Sequence, residues 1–203
     1  PLSVNPEYAY YAGVEFDAQH LRLVLMDYAG NERYSSKHAL SVRGAATGYG
    51  ELFTGIMREE LQQLPVPWSR VRALGVGAPG LIDHGAGLVK NYTALPAFDE
   101  VPVRELFQRG SGKPTRLFHN VSCLARHDSH TRPESNDKVV LYLVARAGIG
   151  LGLSNRGKLY EGRSGKAGHL GLFPVPASAD PLAFEPLQAA AGHQAEEALH
   201  NTM

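Results

Sequence analysis

The chain has 203 residues, of which 43% are apolar, a composition ordinary for a soluble globular protein with one large core or two small lobes. Its 20 basic and 20 acidic residues cancel, which excludes a net field that would draw the whole chain to nucleic acid or to an anionic membrane. The single Cys123 excludes a disulfide framework and a thiolate zinc cluster, as is typical of the reducing cytoplasm.

Alternating β-prone runs predict an antiparallel meander at the start of the chain. Residues 8–16 and 21–28 are rich in aromatic and branched side chains, and a short polar turn separates them. A second turn follows, so residues 32–40 are predicted as a third strand. Apolar residues then recur at helical spacing over 49–64, where prolines end the pattern, and this predicts an amphipathic helix that crosses the sheet.

Buried strands and short helices follow in alternation. The apolar run at 71–77 predicts a strand, Pro102 opens a short helix, and residues 115–118 predict another strand. The predicted order is therefore βββαβαβ, with a further helix near 121–128.

The polar stretch at 131–137 is the best linker candidate in the chain. We therefore predict an N-terminal lobe at 1–130 and a second lobe at 138–203. In the second lobe, the continuous apolar run at 138–145 predicts a buried strand. A glycine-rich turn and a hairpin turn at 155–157 then repeat the opening meander in outline.

Glycines at 75–80 fit the dinucleotide-binding pattern Gly-x-Gly-x-x-Gly, in the sequence Gly-Val-Gly-Ala-Pro-Gly. That kind of site requires a helix to begin at the glycines, so that its amides face a pyrophosphate. Pro79 and the residues after it predict an extended turn instead, so we interpret these glycines as structural.

Neither a membrane segment nor a leader is visible in the sequence. No apolar run reaches the roughly 18 residues that a span requires, and no charged and then apolar segment opens the chain. We therefore expect a cytoplasmic protein with no membrane partner. The chain begins with Pro1 rather than Met, as an excerpt of a longer protein would.

Several short motifs occur in an informative order. They are Gly-x-Gly-x-Pro-Gly at 75–80, Leu-Pro-Ala-Phe at 95–98, Val-Pro-Val-Arg-Glu-Leu at 101–106, Ala-Gly-Ile-Gly at 147–150 and Gly-Lys-Ala-Gly-His-Leu-Gly at 165–171. Together they resemble the ROK family of repressors, open reading frames and sugar kinases, in particular its NagC/XylR-like regulators. The resemblance covers nearly the whole chain. It implies an actin-like, ribonuclease H-like α/β fold of two lobes around a ligand cleft, with the second lobe incomplete here.

The resemblance also implies that the kinase chemistry is lost. Kinases of the family begin with Asp-x-Gly-Gly-Thr, which approaches the phosphates and Mg²⁺ of ATP, but residues 15–19 read Glu-Phe-Asp-Ala-Gln. Asp17 would repel phosphate oxygens there. The family's Glu-Asn-Asp, which ends in the general base, corresponds to His119, Asn120 and Val121. Valine accepts no proton, and the loss of a general base costs about 10²- to 10⁴-fold in rate. We therefore expect no catalysis and neither ATP nor Mg²⁺ as a cofactor.

Positions for sugar and zinc differ from the family pattern as well. The family's Gly-Glu-Ile-Gly-His, with a sugar-binding Glu and a zinc-binding His, corresponds to Gly-His-Leu-Gly-Leu at 168–172. The cysteines of the family's zinc loop are absent, so no zinc is expected. Gln188 corresponds to a further sugar-contacting Glu, a change that keeps hydrogen bonding but removes the charge.

Candidate effector-binding residues are therefore Gly80, His119, Asn120, His169 and Gln188. Asn120 has two interpretations, as a partner of a sugar hydroxyl or as a turn-forming residue. His169 also has two, as a ligand contact that replaces the lost Glu or as a surface histidine in a glycine turn.

These observations predict a non-catalytic effector-sensing and dimerisation module of a ROK-type, sugar-responsive transcriptional regulator. A small sugar or sugar phosphate would favour one lobe orientation, and a homodimer would transmit that choice to a DNA-binding segment outside this chain. One alternative is an ATP-dependent sugar kinase of the glucokinase or fructokinase type that uses displaced residues such as Asp17, Asp83 or Asp99. Another is a purely structural protein that binds no ligand.

Overall fold

The computed structural model describes residues 2–40, 48–92, 98–132, 134, 137–145, 149–163, 165–176 and 184–187. Contacts divide the chain into two compact units, Pro1–Asn120 and Val121–Met203. Within the described ranges, no helix combines the length and the apolar character that crossing a membrane requires.

The first unit alternates strands with two helices. Its strands, in chain order, are β1 (Tyr10–Phe16), β2 (His20–Asp27), β3 (Glu32–Ala39), β4 (Val71–Ala78), β5 (Leu81–Asp83), β6 (Leu88–Lys90) and β7 (Thr115–His119). Its helices are α1 (Gly48–Gln63) and α2 (Val103–Ser111). The strands and helices predicted for this part of the chain are confirmed. β5 and β6 form an additional hairpin that the sequence reasoning did not predict.

Five of these strands form a mixed sheet in the order β3–β2–β1–β4–β7. β1 pairs antiparallel with β2, and β2 with β3, because tight turns join them. The β1–β4 and β4–β7 pairs are parallel, since a crossover that contains a helix connects each pair. The predicted antiparallel edge is confirmed, and the carboxyl ends of β1, β4 and β7 lie along one edge of the sheet.

The core of the first unit contains alternate residues of β1 and β2 together with the apolar sides of α1 and α2. The buried apolar residues of these elements are Tyr10, Ala12, Val14, Phe16, Leu21, Leu23, Leu25, Tyr49, Phe53, Ile56, Met57, Val103 and Phe107. Aromatic rings meet in this core, where the Phe16 centroid lies 5.1 Å from that of Phe53 and 5.4 Å from that of Phe98. These separations are typical of favourable ring pairs, and burial of each such side chain stabilises the fold by about 1.5–3 kcal/mol.

β3 is linked to α1 by polar contacts. Glu60 of α1 is 1% exposed, and its carboxylate accepts a hydrogen bond of 2.7 Å from Ser36 Oγ. The other carboxylate oxygen lies 2.5 Å from His38 Nε2. The buried carboxylate of Glu60 therefore has two hydrogen-bond partners on β3, and it links this edge strand to α1.

The described residues of the second unit form one α-helix and five strands. The helix is α3 (Asn120–Thr131), whose first residue ends the first unit. The strands are β8 (Val139–Ala145), β9 (Ile149–Asn155), β10 (Lys158–Leu159), β11 (Pro174–Pro176) and β12 (Phe184–Pro186). β8, β9 and β10 form an antiparallel sheet, and β11 pairs with β12. The predicted hairpin at 155–157 is confirmed, since Arg156 and Gly157 both adopt the positive φ that a tight hairpin turn requires.

α3 packs on β9 within the second unit. Ser129 Oγ donates to Ser154 Oγ at 2.6 Å, and both side chains are buried. Gly152 lets the helix approach closely, because a Cβ there would lie 2.5 Å from the Val121 carbonyl oxygen. The contacts therefore group α3 with the residues that follow it, whereas the sequence interpretation placed it in the lobe at 1–130. The predicted linker lies between α3 and β8.

β8 differs from its prediction as a buried strand. Val139, Leu141 and Leu143 are 61%, 60% and 62% exposed. The residues between them, Val140 and Tyr142, pair with Ser154 and Gly152 of β9. They therefore share the face of the sheet on which α3 packs. A continuous apolar run is typical of strands covered on both faces, but among the described residues only one face of β8 is covered.

Candidate functional site

Polar side chains gather where β1, β4 and β7 end. In open α/β sheets, ligands bind at the carboxyl ends of parallel strands, because the loops that leave those ends are free to present side chains and amides. We call this part of the first unit the carboxyl edge and define it by Glu15, Asp17, Gly80, His119 and Asn120. The structure thus brings together three of the five predicted site residues.

The β1–β2 turn folds around the carboxylate of Asp17. Asp17 Oδ1 accepts hydrogen bonds from the amides of Gln19 and His20, each at 2.7 Å. The Asp17 amide in turn donates to the His20 carbonyl at 2.9 Å. An aspartate forms such a turn readily, because its short side chain reaches the backbone two residues on. Two amides of the turn are therefore already bound to an anion that belongs to the chain.

Tyr92, which follows β6, lies close to the carboxylates of the same turn. Burial, together with the nearby charges of Asp17 and Glu15, raises the pKa of Tyr92 to about 12. The phenol therefore stays protonated at neutral pH.

Arg22 of β2 connects the two carboxylates of the carboxyl edge. Its Nη1 lies 2.6 Å from Glu15 Oε2 and 3.8 Å from Asp17 Oδ2. Glu15 and Arg22 are directly opposite in the β1–β2 ladder, so the pairing follows from the hairpin register. Asn120 Nδ2 approaches the other oxygen of Glu15, Oε1, at 3.5 Å. Glu15 thus links both strands of the hairpin to the residue that follows β7.

Gly80 allows two backbone segments to approach each other. Its φ is 77°, and a Cβ there would lie 2.7 Å from the Lys90 carbonyl oxygen and 3.2 Å from Tyr92 Cβ. Only glycine adopts this conformation without strain. Gly80 therefore positions the segment that carries Tyr92, and its contact with an effector stays a prediction.

His119 and Asn120 lie together at the end of β7. His119 is buried and pairs across the ladder with Ala78. Val121 follows at the start of α3 and is 6% exposed. The side chain after Asn120 therefore contributes apolar packing and offers no atom that could accept a proton.

His169 belongs to the second unit, where it follows Gly168 in a turn against β9. The Leu151 amide donates to the Gly168 carbonyl at 2.8 Å, and Gly168 has a φ of 89°. Burial lowers the pKa of His169, the charge of Lys166 lowers it further, and a hydrogen bond with the Gly165 backbone partly offsets both effects. The imidazole is therefore neutral at pH 7. Gln188 lies outside the described residues, and effector binding by either residue stays a prediction.

A metal site of three or more ligands is not formed by the His, Cys, Asp and Glu residues that the structure describes. The position of the family's zinc loop corresponds to residues 177–186, of which 177–183 lie outside those residues. The predicted absence of zinc therefore stays a prediction.

A sequence profile of the ROK family matches residues 11–192. The chain belongs to the ROK family. Among curated relatives, this ROK chain is 24% identical over 161 residues to an N-acetyl-D-glucosamine kinase of Histophilus somni (strain 129Pt), covering 79% of the chain and 51% of the relative. It is 21% identical over 174 residues to a putative xylose repressor of Caldicellulosiruptor sp. (strain Rt8B.4), covering 86% of the chain and 43% of the relative.

The fold of this ROK chain is also that of a solved ROK family transcriptional regulator, a homolog of the E. coli MLC protein. The TM-score is 0.73 at 16% identity, over 98% of this chain and 52% of the regulator. The predicted actin-like α/β fold is confirmed. The chain spans about half the length of the curated relatives it matches. Those relatives include a kinase and a putative repressor, so the similarity establishes the family but does not distinguish these two activities.

Sequence reasoning missed Arg22 and Tyr92, which lie next to the residues of the carboxyl edge. Arg22 could have been found, because a two-strand register that pairs Phe16 with Leu21 necessarily places Arg22 opposite Glu15. Tyr92 gives no such signal. It reaches the turn only because Gly80 lets the segment after β6 pass close to the end of β4.

Proposed function

We propose that this ROK chain is the non-catalytic effector-sensing and dimerising module of a sugar-responsive transcriptional regulator. The observation that carries the proposal is the β1–β2 turn, whose amides at 19 and 20 are both bonded to Asp17. A phosphate-binding turn needs its amides directed at the ligand. Here a carboxylate of the chain holds two of them, and its charge repels an incoming phosphate.

Val121 gives independent support. Transfer of a phosphoryl group to a sugar requires a base that takes the hydroxyl proton, and the family resemblance assigns that base to the position of Val121. Its side chain is apolar and buried. We therefore propose that the protein uses no ATP, Mg²⁺ or zinc.

In this proposal the carboxyl edge binds a small sugar effector, and binding favours one conformation of the protein. A homodimer passes that preference to a DNA-binding segment outside this chain, and the protein works in the cytoplasm. A ligand shifts such an equilibrium only by its difference in affinity for the two states. N-acetylglucosamine and xylose, which the names of the relatives suggest, are the first sugars to test.

An ADP-release assay tests the loss of catalysis. The purified chain is incubated with ATP, Mg²⁺ and each of a panel of hexoses and pentoses, and an active ROK sugar kinase serves as the positive control. We expect no sugar-dependent ADP from this chain. In the same samples without nucleotide, at least one sugar is expected to raise the melting temperature.

The ATP-dependent sugar kinase is the alternative, and the kinase among the relatives favours it. Sugar-dependent ADP release that is abolished in Asp17→Asn, Asp83→Asn or Asp99→Asn would establish that alternative and refute the sensor. The regulatory role is tested on the full-length protein, whose affinity for DNA is expected to change when the stabilising sugar is added.

A further inference from the structure

We infer that an exposed cluster of aromatic side chains in the first unit is the surface through which this chain binds a second copy of itself. The cluster consists of Tyr8, Tyr11, Met26 and Tyr28, and we call it the tyrosine patch. It lies at the end of β1 opposite to the carboxyl edge. The inference rests on the proposed function, because it assigns a surface to the proposed homodimer.

The four side chains of the tyrosine patch form one continuous surface. Tyr11 and Met26 are directly opposite in the β1–β2 ladder. The centroid of the Tyr28 ring lies 6.4 Å from that of Tyr11 and 5.2 Å from that of Tyr8. The exposed fractions are 65% for Tyr8, 46% for Tyr28, 43% for Tyr11 and 37% for Met26. The patch is therefore open to water and is not a margin of the buried core.

The outer face of the β1–β2 hairpin changes its chemistry along its length. Side chains alternate along a strand, so Glu15 of β1 shares this face with Tyr11. Arg22 of β2 shares it with Met26 for the same reason. Near the carboxyl edge the face thus carries an ion pair, as is usual for strand positions in water. At the other end it carries Tyr and Met, which are enriched in protein interfaces.

Charges beside the tyrosine patch favour a copy of this chain as the partner. Exposed residues of both signs flank the patch, namely Glu7, Glu32, Arg33 and Arg70. Arg70 donates a hydrogen bond to the carbonyl of Glu7, and Glu32 pairs with Met26 in the β2–β3 ladder. A nucleic acid or an anionic membrane selects an excess of basic residues, which this rim lacks. A rim of one sign would repel its own copy, whereas a mixed rim lets opposite charges meet across a two-fold axis.

The size of the tyrosine patch sets the strength of the contact. Its four side chains expose roughly 400 Å², if a whole aromatic side chain counts for about 200 Å². Stable interfaces bury about 800 Å² on each partner, so the patch and its rim form an interface at the small end of the range. We therefore expect a reversible dimer with a dissociation constant on the order of 1–100 μM.

Sedimentation velocity of the 203-residue chain tests this inference over a range of concentrations that spans the expected dissociation constant. We expect the sedimentation coefficient to rise from that of a monomer to that of a dimer. A chain that stays monomeric at about 500 μM overturns the inference. The change in melting temperature on addition of sugar is measured on the same samples. If the chain is monomeric but responds to sugar, the sensing part of the proposed function stands and only self-association through the patch is refuted.

Two variants locate the interface. Tyr8→Glu and Tyr28→Glu change residues outside the strands, and each places like charges near the proposed two-fold axis. We expect either variant to weaken dimerisation at least about 10-fold while the melting temperature of the monomer stays close to that of the wild type. Tyr160→Glu is the matched control, because Tyr160 is 57% exposed and belongs to the second unit. A dimer that persists in both patch variants uses another surface, which overturns the inference and leaves the homodimer in place.

A charge reversal tests the rim. Glu7→Lys combined with Glu32→Lys makes all four flanking charges basic, so dimerisation is expected to fall several-fold and to recover when salt is added. Glu51→Lys combined with Glu59→Lys makes the same change in net charge at exposed positions on α1. Equal weakening in the two double variants would show that net charge and not the rim controls association, which contradicts the choice of partner.

Discussion

Gly80 and Gly30 both have a left-handed backbone, with φ of 77° and 86°, but their surroundings differ. A Cβ on Gly30 would meet no atom within 4 Å, whereas one on Gly80 would lie 2.7 Å from the Lys90 carbonyl oxygen. At the scale of single residues, the pair separates the cost of the backbone conformation from the cost of a steric clash.

We expect Gly30→Ala to lower the free energy of unfolding by about 1 kcal/mol, the cost of a left-handed alanine. Gly80→Ala should lower it by about 2–4 kcal/mol, because the segment before Tyr92 must also move. Urea unfolding of both variants measures the difference. Equal losses in the two variants would show that the close approach at Gly80 adds nothing to the cost of the left-handed backbone.

Glu60 gives a second prediction at the residue scale. Glu60→Ala leaves the partners Ser36 and His38 without their carboxylate and empties buried space, so we expect a loss of about 2–4 kcal/mol in the free energy of unfolding. Glu59→Ala changes the exposed neighbour and should stay within about 0.5 kcal/mol of the wild type. Similar effects in the two variants would contradict the role assigned to the buried carboxylate.

At the scale of elements, the segment after β6 places Tyr92 close to the charges of the β1–β2 turn. The pKa of Tyr92 is raised, so its folded-state value lies above the unfolded one. The stabilisation that results is fully present below the unfolded pKa of about 10 and is lost as the pH rises through about 12. Burial raises the pKa of Tyr34 and Tyr49 in the same direction.

Tyr92→Phe keeps the ring but removes the phenol. We expect a smaller decline in stability between pH 10 and 12 than in the wild type, because the variant has no phenol to ionise. Chemical unfolding as a function of pH measures this difference. If the free energy of unfolding fell by the same amount between pH 10 and 12 in the variant and the wild type, ionisation of Tyr92 would not be the cause of the decline.

Sequence patterns predicted the elements of the first unit well, because alternation over 8–16 and helical spacing over 49–64 specify both the element and its buried side. The β5–β6 hairpin was missed, since strands of three residues are too short to show a period. At the carboxyl edge, order along the chain was enough to indicate Gly80, His119 and Asn120. The position of Tyr92 near the β1–β2 turn depends on a tertiary approach that no local pattern encodes.

At the scale of the whole molecule, the two units differ in how they cover their sheets. In the first unit Leu23 of β2 is 1% exposed, whereas Leu141 of β8 in the second is 60% exposed. Apolar composition predicted burial for β8, but composition alone does not reveal which element covers a face. The strand itself was therefore predicted correctly, and only its burial was predicted wrongly.

Matched truncations test this contrast. Leu23→Ala should lower the free energy of unfolding by about 2–5 kcal/mol, because it opens a cavity in the core. Leu141→Ala in this chain should change it by less than about 1 kcal/mol, since most of the side chain is already in water. A large loss for Leu141→Ala would show that its face is covered in solution.

The β1–β2 turn also bears on how this protein can change over evolutionary time. Replacing Asp17 by glycine would release the amides of Gln19 and His20, yet Val121 would still take no proton. No single substitution therefore restores both the free amides of the turn and the base. Under the proposed function the loss of catalysis is thus effectively irreversible, and descendants of this chain are expected to diversify in what they sense rather than to regain phosphoryl transfer.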